Sequence, residues 1–96
     1  MNWTYVEIGY NFYFQREYLN GVERDRVQRT LDAVKIMDNP IDYSGVITTC
    51  PQHNRVVIHV IDSEIMIGMI IHGDDDPRPE LQHCIELVKI IDPKEL

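Results

Sequence analysis

The sequence predicts one small α+β domain. An antiparallel sheet, built from an N-terminal strand and a three-stranded meander, carries two helices packed on one face, in the order β-α-β-β-β-α. Three observations predict it. Residues 4–14 alternate apolar with polar side chains, residues 22–37 repeat apolar side chains at helical spacing, and residues 44–72 hold three β-branched runs separated by turn residues. With 96 residues, 44% of them apolar, the chain has material for one core, so 1–96 is read as a single domain.

The first strand follows from its alternation. Val6, Ile8, Tyr10, Phe12 and Phe14 fall on one side, and Glu7, Gly9 and Asn11 on the other, with a bend or break expected at Gly9. Asn20-Gly21 marks a turn. It suits a type I′ hairpin in which Glu17 opposes Arg24 and Arg16 opposes Asp25. The preferred reading is a helix over about 22–37, because Val27, Leu31 and Val34 have helical spacing and good helix formers lie between them. Asp38-Asn39-Pro40 ends it.

Strands are then expected over 44–50, 55–61 and 64–72. Pro51-Gln52-His53-Asn54 and Asp62-Ser63 supply the turns between them. Asp74-Asp75-Asp76-Pro77 reads as a loop. Pro79 suits the first turn of a last helix over 79–91, and Glu80 favours its dipole. Leu81, Ile85, Val88 and Ile91 form its stripe, widened by Cys84 and Leu87. The α-β-β-β-α part of this order is also that of double-stranded-RNA-binding domains. Those domains aim lysines and arginines at phosphates, whereas here the start of the last helix carries Asp74, Asp75, Asp76 and Glu80, so the likeness is one of topology alone.

Tight hairpins set Cys50 opposite Arg55 and Ile61 opposite Glu64, and the alternation then defines two faces. Ile47, Thr49, Val56, Ile58, Val60, Ile65, Ile67, Met69 and Ile71 form an apolar face that belongs under the helices. The second face carries Val46, Thr48, Cys50, Arg55, Val57, His59, Ile61, Glu64, Met66, Gly68, Ile70 and His72. It is half apolar, more than a solvated face needs. The N-terminal segment, a second copy of the chain or a partner is therefore expected to cover it.

Net charge is −7 and unevenly placed. Residues 1–36 hold five basic and five acidic side chains, whereas 37–96 hold four basic against eleven acidic. Such a field repels nucleic-acid phosphates and anionic membranes and attracts basic proteins. No stretch nears the roughly 18 apolar residues of a membrane span. Met1-Asn2-Trp3-Thr4-Tyr5 lacks the pattern of a secretory signal, and two cysteines make no disulfide framework, so a cytoplasmic protein with free thiols is expected.

Three groups of residues carry candidate chemistry. Cys50, His53 and His72 converge if the hairpin is tight, with Asp74 just beyond, which is a weak zinc or thiol-enzyme pattern: one Cys-x-x-His pair with no second pair of matching spacing. Asp74-Asp75-Asp76 lacks the spacing of a calcium loop and is better read as a solvated loop or a contact for a basic partner. The aromatic segment Trp3, Tyr5, Tyr10, Phe12, Tyr13, Phe14 and Tyr18 fits core packing or a Tyr-rich partner surface better than base stacking, since no cation interleaves it before Arg16.

The expected function is accordingly a non-enzymatic protein-binding module without cofactor, a small acidic inhibitor, immunity or anti-defence type of protein. It would occupy a basic surface of a nuclease or other nucleic-acid-handling complex. Asp74, Asp75, Asp76 and Glu80 would steer, and Met66, Ile70, Val57 and His59 would make contact. The alternatives are a homodimeric accessory protein pairing through the second sheet face, and a metal- or thiol-dependent enzyme using Cys50, His53 and His72.

Overall fold

A computed structural model describes residues 3–43, 45–49, 55–62, 64–92 and 94. Among them five strands form one mixed sheet: β1 (Thr4–Val6), β2 (Val46–Thr49), β3 (Arg55–Val60), β4 (Met66–His72) and β5 (Cys84–Ile91). Two helices, α1 (Asn11–Glu17) and α2 (Gly21–Val34), lie between β1 and β2. The spatial order is β1-β5-β4-β3-β2. Only β1 runs parallel to its neighbour; the other three pairings are antiparallel. The α+β class and the meander agree with the sequence reading. The purely antiparallel sheet and the β-α-β-β-β-α order do not.

The expected last helix is a strand. Pro79–Leu81 makes a single 3-10 turn, His83 takes a positive φ of 59°, and β5 follows. Leu81, Ile85, Val88 and Ile91 do share a helical spacing, but Ile85 and Leu87 also alternate with Glu86. The β-branched Ile85, Val88, Ile90 and Ile91 favour the extended form. Filling the gap between β1 and β4 satisfies both edges of β5 at once, which no helix at that position offers. The likeness in order to double-stranded-RNA-binding domains ends with that helix.

The long N-terminal strand is also divided. Three residues stay extended, and the chain then turns into α1, which buries Phe12 completely and leaves Tyr10, Tyr13 and Phe14 outside. Removing a buried ring of this kind costs about 3–5 kcal/mol. The corner to α2 is fixed by a capping box rather than a hairpin. Asn20 Oδ1 accepts from Glu23 N at 2.8 Å, and Glu23 Oε1 accepts from Asn20 N at 3.0 Å. Arg24 then donates to the Arg16 and Glu17 carbonyls at the end of α1. Val27, Leu31 and Val34 form the buried stripe of α2, with Thr30, as their spacing predicts.

Both helices cover one face of the sheet, and here a single register step matters. The β2–β3 pairing matches the expected one, with Val46 opposite His59. The β3–β4 hairpin is one residue longer: Val60 faces Met66, and Ile61 N donates to Ile65 O. Asp62 is the cause, since its Oδ1 accepts from both Glu64 N and Ile65 N, at 2.7 and 2.9 Å, and so builds a wider turn. Asp62 also pairs with Arg26 of α2. A one-residue slip flips a strand. Ile65, Ile67, Met69 and Ile71 of the β4 segment lie in the core as expected, but β3 contributes Val57 and His59 to it, opposite Met69 and Ile67. Ile85 and Leu87 complete the layer.

β1 pairs with β5 only at residues 84–86, so β1 does not reach the Ile90 amide. Gln15 of α1 takes it, its Oε1 accepting from Ile90 N at 2.7 Å. Among the described residues no helix is long and apolar enough to cross a membrane.

Candidate functional site

The candidate surface comprises the 73–83 connection and the sheet face opposite the helices. At its root β4 and β5 pair His72 with Cys84 and Ile70 with Glu86, which brings His72 and Glu86 onto that face. His72 is almost wholly buried. Its Nδ1 lies 2.8 Å from Asp76 Oδ2 and its Nε2 lies 3.0 Å from Glu86 Oε1. Asp76 Oδ1 in turn accepts from the Arg78 backbone N–H at 2.9 Å and from Arg78 Nε at 3.3 Å, while Gln82 Nε2 donates to the Asp76 carbonyl. The Arg78 side chain and its backbone N–H, with His72 behind them, hold the Asp76 carboxyl far below the usual carboxylate range. The same contact raises the pKa of Arg78 further.

This network fixes a segment that has little apolar mass of its own. Leu81 is buried, and the Cys84 thiol is buried against the carbonyls of Glu80 and Gln82. His83 stacks on Trp3 with ring centroids 4.2 Å apart and planes at 14°, and Trp3 Nε1 donates to Met37 O. The segment shows more acid than base to water: Asp75 and Glu80 are exposed, and the Asp74 side chain is 87% exposed with only a loose 3.7 Å contact to His83, against the single exposed Arg78, which is paired with Asp76.

The residues expected to bind a partner therefore separate. Asp74, Asp75 and Glu80 are outside on one segment. Asp76 is inside, an anchor rather than a contact. Met66 and Ile70 are half-buried on the face without helices, together with Val60. Val57 and His59 are fully buried in the core, so the register step removes both from any partner surface. His59 also has no hydrogen-bond partner for either ring nitrogen among the described residues, and burial pushes its pKa down to about 4. Tyr43 packs beside it at 5.4 Å.

Of the candidate metal or thiol group, Cys50 and His53 lie outside the described residues, and both ring nitrogens of His72 are taken by carboxylates. Among the described residues no three His, Cys, Asp or Glu side chains are placed to hold a metal ion.

Sequence reasoning missed Arg78 and Glu86 as parts of the anchor. Asp76-x-Arg78 is a readable turn signal, but Glu86 reaches His72 only once residues 84–91 are a strand. It also missed how far α1 exposes its rings. Tyr10, Tyr13 and Phe14, with Glu7 and Gly9, line a concave surface of about 360 Å³.

Compared with known protein families, curated proteins and solved structures, the chain matches none.

Proposed function

We propose that this chain is a non-enzymatic binding module of the inhibitor, immunity or anti-defence kind, occupying a basic surface of a larger protein such as a nuclease or other nucleic-acid-handling complex. One observation carries the reading: Asp74, Asp75 and Glu80 are exposed on a segment rooted in the buried His72, Asp76 and Glu86 cluster. Fixed charges steer a partner without the entropy loss of ordering a flexible loop. Met66 and Ile70 on the neighbouring sheet face would supply burial. The reading places the protein in the cytoplasm, where the buried Cys84 remains a thiol.

The test leaves the anchor intact. Asp74→Lys, Asp75→Lys and Glu80→Lys together change net charge from −7 to −1, since each reversal adds two. Capture from native lysate with salt elution identifies the partner, and stopped-flow mixing then measures association. The triple variant should associate about ten-fold more slowly or worse at low salt, with the salt dependence flattened. An unchanged association rate would refute electrostatic steering.

The sheet face opposite the helices, where Met66, Ile70 and Val60 are half-buried, favours a second reading, a homodimer paired through those three residues. Light scattering across a hundred-fold dilution separates the two, because a tight dimer would leave that face unavailable to another protein.

A further inference from the structure

We propose that the concave aromatic surface of α1 is a second contact site, and that it takes an arginine side chain from the basic protein partner. The inference rests on the reading that the partner is basic, but it concerns different residues. Tyr10, Tyr13 and Phe14 are 76%, 46% and 57% exposed. Single exposed apolar residues are ordinary on a monomer, whereas three adjoining rings on two turns of helix are not. The rings are splayed rather than stacked. Tyr10 and Phe14 lie 6.2 Å apart at 47°, and Tyr13 meets Phe14 edge-on at 5.6 Å and 74°. They form walls, Gly9 leaves the approach open, and Glu7 supplies a carboxylate at the side.

Ring faces are electron-rich and a carboxylate is anionic, so the ligand that satisfies both is a cation. The molecule already contains one instance of this recognition. The Arg16 guanidinium lies over Phe12 and Tyr13, at 5.5 and 5.8 Å from the ring centroids, and pairs with Glu7 at 3.7 Å. That ion pair is long and partly exposed, so sharing Glu7 with a second cation costs little. The Tyr10 and Phe14 faces are not covered by Arg16. A planar guanidinium stacks on them better than a hydrated ammonium does. A nucleic-acid base would also stack, but its phosphates meet a chain of net charge −7.

The test uses the full chain, isotopically labelled, titrated with a capped Arg-Gly repeat peptide and followed by NMR. Lys-Gly and Glu-Gly repeats serve as comparisons. The ring signals of Tyr10, Tyr13 and Phe14 should move with the arginine peptide, less with lysine and not with glutamate. Tyr10→Leu and Phe14→Leu should each weaken binding by about three-fold, the size of an exposed cation–π contact, and Glu7→Gln by about two- to three-fold through loss of an exposed ion pair. These positions are exposed, so the fold should survive, and Val22→Ala, exposed on α2, should leave binding unchanged. Shifts confined to Asp74, Asp75 and Glu80 would overturn the ring site and leave the acidic-segment reading standing. No shift anywhere would remove both. Equal binding by the leucine variants would overturn the cation–π basis. Ring shifts that depend on protein concentration without peptide would assign the surface to a second copy instead.

Discussion

His59 makes this protein's stability fall on mild acidification, and the size of the effect follows from its environment. The ring is fully buried in the helix-covered layer of the sheet, and neither nitrogen has a hydrogen-bond partner among the described residues. Burial lowers its pKa from 6.5 to about 4. Above pH 6.5 the ring is neutral in both folded and unfolded chains, so it adds no pH dependence. Below 6.5 the unfolded chain binds a proton that the folded one refuses until about pH 4, so stability is lost across that window. At about 1.4 kcal/mol per pH unit, the loss between pH 7 and pH 4.5 is roughly 2.5 kcal/mol. That is a large part of the margin of a domain this size. The perturbation is His59→Leu, which removes the titrating group and two unsatisfied nitrogens while filling similar space beside Tyr43. Urea unfolding at both pH values measures it. The variant should match or exceed the parent at pH 7 and exceed it by roughly 2–3 kcal/mol more at pH 4.5. Carboxylates that titrate near pH 4.5 affect both proteins alike and cancel in the comparison. Parallel losses in the two proteins would refute the reasoning, as would a histidine NMR titration showing every midpoint above pH 6.

Three further outcomes are expected. Asp62→Ala should destabilise by about 1–2 kcal/mol through two lost turn hydrogen bonds and the pair with Arg26, while Asp62→Asn, which keeps the turn acceptor, should recover part of that in thermal unfolding. Gln15→Leu leaves the Ile90 amide of β5 without its acceptor. It should cost about 1–2 kcal/mol and speed hydrogen exchange at that amide more than at Ile67. Asp76→Asn should lower the melting temperature at pH 7 more than Asp74→Asn does, because only the first stands buried against His72 and Arg78. The Asp76 contribution is present above about pH 4 and lost as pH falls below it, so that gap should shrink in strong acid.

Elements whose pattern admits one period were legible in the sequence. Val27, Leu31 and Val34 favour α2 over the hairpin that Asn20-Gly21 also allows, and the β-branched runs of β3 and β4 mark strands. Residues 10–17 and 84–91 fit both periods, and there tertiary context decides. Phe12, Gln15 and Leu19 fall on one helical face, so α1 was readable as a helix, but Val6, Ile8, Tyr10, Phe12 and Phe14 alternate equally well. For residues 84–91 the unpaired edges of β1 and β4 settle the matter, and pairing between segments this far apart in sequence leaves no local trace. The sheet faces turned on a finer point. Asp62-Ser63 reads as a two-residue turn, yet the Asp62 side chain binds the amides of Glu64 and Ile65 and adds one residue. That single step carries Val57 and His59, two of the four sheet-face residues expected to touch a partner, from the surface into the core.

Asp74, Asp75 and Asp76 show how identical residues acquire opposite roles from backbone position alone. A run of three aspartates repels itself and, left in water, favours an extended and mobile loop. Here the third turns inward, where His72 hydrogen-bonds it on one side and the Arg78 cation offsets its charge on the other. The segment is thereby fixed at both ends, by Asp76 near its start and by the Trp3–His83 stack where β5 begins. The first two aspartates and Glu80 are then presented at a fixed place relative to the sheet. Replacing Asp76 should therefore disturb recognition as well as stability, by loosening charges it does not itself carry. Replacing Asp74 should disturb recognition alone. A variant series in which binding follows only the count of acidic residues, wherever they stand, would mean that the anchor serves folding and has no part in presenting the surface.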